Sequence, residues 1–417
     1  MNIVLKNYLR ALTAVILIIT PFALKAQQGF ITTRGKEVIG PNNKPFLMKG
    51  TNLGDWLVPE GYMFLHKGDT KINSPKLINE ALMELIGPDA TKAFWKKYLD
   101  NYITRADIHY LKTTGMNSIR IPFNYKLFTY EDYLGENNPN RGFQLLDRVI
   151  GWCKQEGIYV VLDMHCAPGG QTGDNIDDGY GYPFLFLNPG CEQQTIQIWA
   201  KIAAHYKNET AVMGYDLLNE PMAHYFNADS LNHYLVPFYK KLVATVRKVD
   251  KNHIMILGGA QWDSKMMMFG KPFDSKTIYT FHKYWTPTTQ DVIQEYLDYR
   301  DKYNVPIYCG ETGENDDVWV HDFRVLLEKN NIGWHYWPYK KMDNTRGIIT
   351  FKVPEGFDKV IEYADKNRTG FKDIRDAAPA SRAQIQQALN GVLENCKFEN
   401  CTPNKGYIKA LGLSVGK

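Results

Sequence analysis

Val212-Met213-Gly214-Tyr215-Asp216-Leu217-Leu218-Asn219-Glu220 is an apolar run that turns polar only at its carboxyl end. A strand covered on both faces is written as a nearly continuous hydrophobic stretch, which is the signature of a parallel sheet between helices. Seven further runs share the form. They are Phe46–Leu53, Ser118–Phe123, Tyr159–His165, His253–Gly258, Ile278–His282, Pro306–Glu311 and Gly333–Trp337. Amphipathic stretches lie between them. Residues 143–156 carry Leu145, Leu146, Val149, Ile150 and Cys153 on one helical face, and 235–249 is patterned the same way. Thr113-Thr114-Gly115, Glu156-Gly157 and Asn330-Asn331-Ile332-Gly333 read as helix stops. Eight strand–helix alternations predict an α/β fold, a closed (β/α)8 barrel. Residues 27–45 are expected to form a hairpin on the barrel floor with Gly40-Pro41-Asn42-Asn43 as its turn. The expected organisation is a leader over 1–26, a barrel over 27–375 and a helical extension over 376–417 packed on the barrel.

In such a barrel the chemistry sits at the carboxyl ends of the strands. Polar residues collect there. Arg120 lies in the second strand and His165 ends the third. Asn219 and Glu220 end the fourth, His282 and Tyr284 the sixth, Glu311 the seventh and Trp337 the eighth. A lone strand-end histidine is more often structural than catalytic; the full set is far more specific. Strands four and seven face each other across the barrel, so Glu220 and Glu311 are expected to meet near its axis. Retaining glycoside hydrolysis needs two carboxyl groups about 5–5.5 Å apart, a nucleophile and an acid/base. A cation such as Arg120 and a hydroxyl such as Tyr284 would keep one carboxylate ionised, while a less polar setting would keep the other protonated. Asn219 suits a sugar 2-hydroxyl, and Trp337 offers a stacking face. Trp56, Trp262 and Trp285 are further candidate sugar platforms, each with a competing reading as packing. Chemistry alone does not assign the two glutamate roles. A divalent metal between them is the competing mechanism, but no His-x-His pattern of barrel metallohydrolases is present.

Composition agrees with this reading. The 417 residues are 44% hydrophobic, 23% charged and 13% aromatic, which fits a globular core. Lys and Arg number 49 against 45 Asp and Glu, and three of those cations, Lys6, Arg10 and Lys25, lie in the leader. The remainder is nearly neutral, so neither nucleic acid nor an anionic membrane is implied as a partner. Lys6 and Arg10 precede the apolar run 11–19, and Ala26 follows Pro21, so 1–26 reads as a signal peptide of a secreted or periplasmic protein. A retained N-terminal anchor is the alternative. No later segment reads as a membrane span, and a monomer is expected. The six cysteines fit no zinc pattern; Cys396 and Cys401 are close enough to close a small disulfide loop.

The motifs resemble glycoside hydrolase family 5, and within it the exo-β-1,3-glucanase-like branch. Asn52-Leu53-Gly54-Asp55-Trp56-Leu57-Val58 is similar to that branch's opening Asn-Leu-Gly-Gly-Trp-Leu-Val. Residues 103–108 with 115–122 resemble its first helix and second strand, and 165–171 its strand-three loop. Asn219-Glu220-Pro221 resembles the acid/base motif, and Glu311 within Gly310-Glu311-Thr312-Gly313 the nucleophile position. The likeness spans about residues 46–340. It implies Glu220 as acid/base and Glu311 as nucleophile. Arg120, His165, Asn219, His282 and Tyr284 would surround them, Trp337 would lie where cleavage occurs, and no metal or organic cofactor would be needed. The implied substrate is a β-linked oligo- or polysaccharide. Asp55 and Cys166 replace glycines of the pattern and are expected to reshape the sugar subsites. Residues 172–186 and 59–75 are expected to wall the cleft. Endo-β-1,4-glucanase, β-mannanase or glycolipid glucosidase activity, transglycosylation and a non-catalytic carbohydrate-binding barrel are the alternatives.

Overall fold

A computed structural model describes residues 29–66, 72–379 and 381–416; the expected leader lies outside them. Strands β1 (Thr32–Arg34) and β2 (Glu37–Ile39) form an antiparallel hairpin. Eight parallel strands follow: β3 (Lys49–Asn52), β4 (Ser118–Asn124), β5 (Tyr159–Cys166), β6 (Val212–Asp216), β7 (Ile254–Gly258), β8 (Thr277–Tyr284), β9 (Ile307–Gly313) and β10 (Gly333–Trp337). They pair in chain order, and β10 closes on β3. Each expected run supplies one strand, so the chain is a (β/α)8 barrel.

Every residue of β4, β5, β6, β7 and β9 is buried, which is why these runs lack the alternation of a half-exposed sheet. Inside the lower barrel, Tyr159, Val161, Met213, Ile254, Ile256, Ile278 and Tyr308 pack together, and Ile31, Val38 and Met48 cap them from below. That apolar plug leaves the carboxyl end of the strands as the place for charge.

The hairpin turns at Gly35-Lys36, between β1 and β2, and not at 40–43 as expected. Residues 40–43 make a second turn, with Asn43 donating to Gly40, that returns Pro45 to Ile39. The helix expected over 143–156 is Arg141–Glu156, closed by Gly157 in left-handed conformation. The one expected over 235–249 begins a full two turns earlier, as Ala228–Val249, because Asn227 caps it by accepting from the amides of Asp229 and Ser230. The helix Phe371–Ala377 spans the expected boundary of the C-terminal extension. Beyond it, Arg382–Asn395 packs on Pro75–Ile86 and Pro88–Asn101. The extension also contributes a strand. With β11 (Lys340–Met342) and β12 (Ile349–Phe351), β13 (Thr402–Pro403) forms a small sheet. Cys396 and Cys401, which the sequence left open as a pair, are free, and their sulfurs face the backbone carbonyls of Leu393 and Lys397. No helix among the described residues is long and apolar enough to cross a membrane.

Candidate active site

The site is built from the ends of the strands inward. β6 stops at Asp216, and the chain leaves it through Leu217 to reach Glu220, which holds left-handed backbone with φ 46°. The loop after β5 fixes this exit. Gln171 donates to the carbonyls of His165 and Asn219 at 2.7 and 2.9 Å, and the Thr172 hydroxyl donates to that of Glu220 at 2.8 Å. Asp177 holds the loop itself, accepting from the amides of Thr172, Gly173 and Gly179. On the other wall, the register between β8 and β9 shifts at His282 and sets it beside Glu311. Gly310 permits this: a Cβ there would lie 2.4 Å from Thr280 Oγ1 and 2.9 Å from His282 Nε2.

At the centre is Arg120, fully buried on β4. Its guanidinium donates to Asp216 at 2.9 Å, Glu311 at 2.5 Å, Asn219 at 2.9 Å and Asn52 at 3.2 Å, and lies 3.1 Å from Asp163. Burial opposes its charge, but the three carboxyls outweigh burial and raise its pKa well above the ordinary value. The Tyr284 hydroxyl donates to the other Glu311 oxygen at 3.0 Å.

Glu220 has different company. Its Oε1 lies 2.8 Å from Nδ1 of His282, whose pKa burial lowers to about 3, so the imidazole is neutral. Burial raises the Glu220 pKa to about 7, against the pull of His165 and Arg120. His165 is also neutral, lowered to about 4 by burial. It hydrogen-bonds Asp163 and stacks on Trp337 with ring centroids 5.6 Å apart. A carboxylate oxygen of Glu220, one of Glu311 and a His282 ring nitrogen lie within 4.8 Å of one another. The same limit joins Asp163, His165 and Glu311. These donor sets could in principle hold a cation. Arg120 already provides one, 2.5 Å from Glu311 Oε1, the oxygen on the His165 side.

The glutamates open into a cavity of about 520 Å³, also lined by Glu60, Tyr62, His165, Ile176, Trp262, His282, Tyr284, Trp285, Glu314 and Trp337. Of the eleven candidate site residues read from the sequence, ten gather here or directly beneath. Trp56 does not. It is fully buried, with its indole nitrogen donating to the Leu99 carbonyl at 2.8 Å, because a ring of that size is satisfied as well by core packing as by a sugar. The two departures from the family pattern act indirectly. Asp55, buried under the cavity wall, accepts the Glu60 amide and the Tyr98 hydroxyl and so sets the path to Glu60. Cys166 points its sulfur at the Ile176 carbonyl at 3.2 Å. Glu60 and Tyr62 come from the stretch 59–75 expected to wall the cleft, of which 67–71 lie outside the described residues; Glu314, Asp163, Asp216 and Asp263 are site residues that sequence reasoning did not select. Asp163 and Asp216 carried a usable signal, since each interrupts an apolar strand run.

Fold and site together define a barrel hydrolase with an acidic pair at its carboxyl-terminal face. Residues 81–343 match the family model for cellulase (glycosyl hydrolase family 5). A beta-xylosidase of Phanerodontia chrysosporium is 32% identical over 353 residues, covering 75% of this chain and 71% of its own length. Endoglucanase C of Acetivibrio thermocellus is 26% identical over 318 residues, covering 60% and 88%. A glucan 1,3-beta-glucosidase of Candida oleophila is 28% identical over 241 residues, covering 54% and 55%. Among solved structures, rutinosidase from Aspergillus niger shares the fold with a TM-score of 0.56 at 19% identity, over 72% of this chain and 91% of that one. The chain belongs to glycosyl hydrolase family 5 and is a glycoside hydrolase.

Proposed function

We propose that the protein is a secreted, retaining β-glucan hydrolase of exo-β-1,3-glucanase type. Glu311 attacks the anomeric carbon as the glycosidic bond breaks, and Glu220 gives its proton to the leaving oxygen. Water then displaces Glu311 from the sugar and returns a proton to Glu220. The observation that carries this reading is the carboxylate pair within 4.8 Å, in unlike surroundings. Glu311 faces a guanidinium and a phenol, as a nucleophile requires. Glu220 faces a neutral imidazole and has a pKa of about 7, as an acid/base requires. Arg120 holds Asn219 through its oxygen and leaves the buried amide nitrogen without a partner, as a donor for the 2-hydroxyl. The opening motif 52–58 and the glucan 1,3-beta-glucosidase relative support terminal β-1,3-glucose as the substrate unit.

The test is a panel of laminarin, carboxymethyl-cellulose, mannan and xylo-oligosaccharides, assayed with wild type and Glu311→Gln. Glucose released alone from laminarin, with the β-anomer formed first by proton NMR, is expected. A product ladder from carboxymethyl-cellulose would replace the exo reading with an endo one. Release of xylose, the outcome suggested by the beta-xylosidase relative, would change the sugar. An α-anomer formed first would overturn retention. Equal inertness of both proteins on the whole panel would leave a non-catalytic carbohydrate-binding barrel. Secretion is tested by sequencing the exported protein, whose first residue is expected to be Gln27.

A further inference from the structure

At the cavity wall, three consecutive residues, Gln261, Trp262 and Asp263, hold left-handed backbone with φ of 53°, 60° and 57°. None is glycine, so each of the three holds a conformation that its Cβ disfavours. A strained run of this kind persists only where its surroundings enforce it, and it clusters at working sites. What this one delivers is Asp263. The side chain is fully buried, with Oδ2 3.3 Å from Nε2 of His282 and 3.4 Å from the backbone nitrogen of Glu220. Gly258 belongs to the same device, because a Cβ there would lie 1.8 Å from Asp263 Oδ1. The opposite edge of the His282 ring meets Glu220 Oε1 at 2.8 Å. The buried carboxyl of Asp263 is thus the neighbour of a His282 Nε2 that makes no hydrogen bond in this geometry, while Nδ1 of the same ring meets the proposed acid/base.

We infer that Asp263 is a positioning residue for the acid: it donates its proton to Nε2 of His282, keeps the ring's own proton on Nδ1, and so aims a donor at Oε1 of Glu220. This rests on Glu220 being the acid/base. A neutral imidazole has one N–H and one lone pair, so whatever faces one nitrogen dictates the other. Charge decides the direction. Around Asp263 stand Asp216 on β6, Glu220, His282 on β8 and Tyr239 of the helix Ala228–Val249, with Arg120 beyond. Arg120 directs its hydrogen bonds to Asp216, Glu311, Asn52 and Asn219. Among the described residues, the ion-pair contact of Asp263 is with His282, which is itself neutral. An ionised Asp263 would be one more anion without a cation, and burial holds it protonated, well above the carboxylate range. A protonated carboxyl donates, so Nε2 must accept. Nδ1–H then faces Glu220. It leaves Oε2 to carry the transferable proton, and it steadies the carboxylate once that proton has gone. The other ionisable groups that bear on Glu220 and His282 are Glu311, His165, Arg120, Asp174, Asp163, Glu60 and Tyr284.

The test uses Asp263→Ala and Asp263→Asn in the full-length protein with two substrates. Laminaribiose needs protonation of its leaving group; 2,4-dinitrophenyl β-glucoside does not. In Asp263→Ala, kcat/KM is expected to fall about 10- to 100-fold on laminaribiose and less than about threefold on the dinitrophenyl glycoside. The basic limb of the kcat/KM profile should move to higher pH, because the Glu220 carboxylate loses a donor. Asp263→Asn should rescue both, since an amide N–H can donate to Nε2. An asparagine variant as impaired as the alanine one would mean that Asp263 accepts as an anion, and would overturn the inference. Equal losses on both substrates with an unmoved pH limb would overturn it in favour of packing. Turnover is not needed for the second readout. In 15N-histidine spectra, with His282 assigned through His282→Gln, wild type and Asp263→Asn should show a protonated Nδ1 and a lone pair on Nε2, and Asp263→Ala the reverse. The wild-type pattern without activity on either glycoside would support the tautomer and count against the acid/base reading. An Nε2-protonated ring in wild type would overturn the inference whatever the activity.

Discussion

Glu220 and Glu311 come from opposite walls of one barrel and are almost equally hidden, at 7% and 5% exposure. Burial therefore does not distinguish them; their contacts do. Glu311 receives a guanidinium on one oxygen and a phenol on the other. Glu220 receives a ring that burial has kept neutral, and its own burial raises the carboxyl to about 7. The pair shows how one cavity can hold two identical carboxyls in unlike surroundings. A cation is spent on one partner, and the other is left to its surroundings.

The comparison breaks most directly by removing each carboxyl in turn. Glu311→Gln should lower kcat/KM on the order of a millionfold, as loss of a covalent nucleophile does, and on every substrate alike. Glu220→Gln should lower it about 100- to 10,000-fold on an oligosaccharide. On a dinitrophenyl glycoside, which needs no proton, the bond-breaking step should be largely spared. Rates with both substrates and both variants check the assignment, and equal losses in all four combinations would dissolve it.

A milder change sharpens the same contrast. Tyr284→Phe removes the neutral donor to Glu311 without touching Glu220. A hydrogen bond to a charged group contributes about 1.5–3 kcal/mol, so kcat/KM should drop roughly 10- to 100-fold. The pH profile separates the two sides. In wild type the basic limb of kcat/KM is expected near pH 7, because Glu220 must be protonated and its pKa is about 7. Activity should fall as pH rises through that value. Tyr284→Phe should leave this limb where it is; a limb that moves with Tyr284 would show that the hydroxyl acts on Glu220.

The barrel was legible because each strand buried on both faces writes itself as an uninterrupted apolar run, and Arg120, His165, Glu220 and Glu311 stood out as polar breaks in such runs. What was not legible depends on contacts far apart in the chain. The stretch 59–75 was expected in the cleft wall, but that Glu60 is the carboxyl it presents there depends on Asp55 accepting its amide and Tyr98 holding Asp55. Asp263 is placed by a run of positive φ values in residues that do not favour them. The true hairpin turn at Gly35-Lys36 lost to the stronger Gly-Pro-Asn-Asn signal that begins at Gly40, which also proved to be a turn.

Two tryptophans that look alike in sequence give the smallest and most discriminating test. Trp285 is 70% exposed at the cavity mouth, its indole nitrogen 3.4 Å from the Glu314 carbonyl, and Trp56 lies wholly inside. A ring at the mouth can act only on what enters. Its loss in Trp285→Ala should remove one stacking contact, about 0.5–1.5 kcal/mol, and raise KM about two- to tenfold with kcat unchanged. Trp56→Phe keeps most of the apolar volume but leaves the Leu99 carbonyl unpaired, which costs about 1–3 kcal/mol of stability and should lower Tm while KM stays fixed. Should KM respond to Trp56 instead, the segment 55–60 would have to shift with it, carrying Glu60 in the cavity wall, since that segment joins the buried ring to the sugar site.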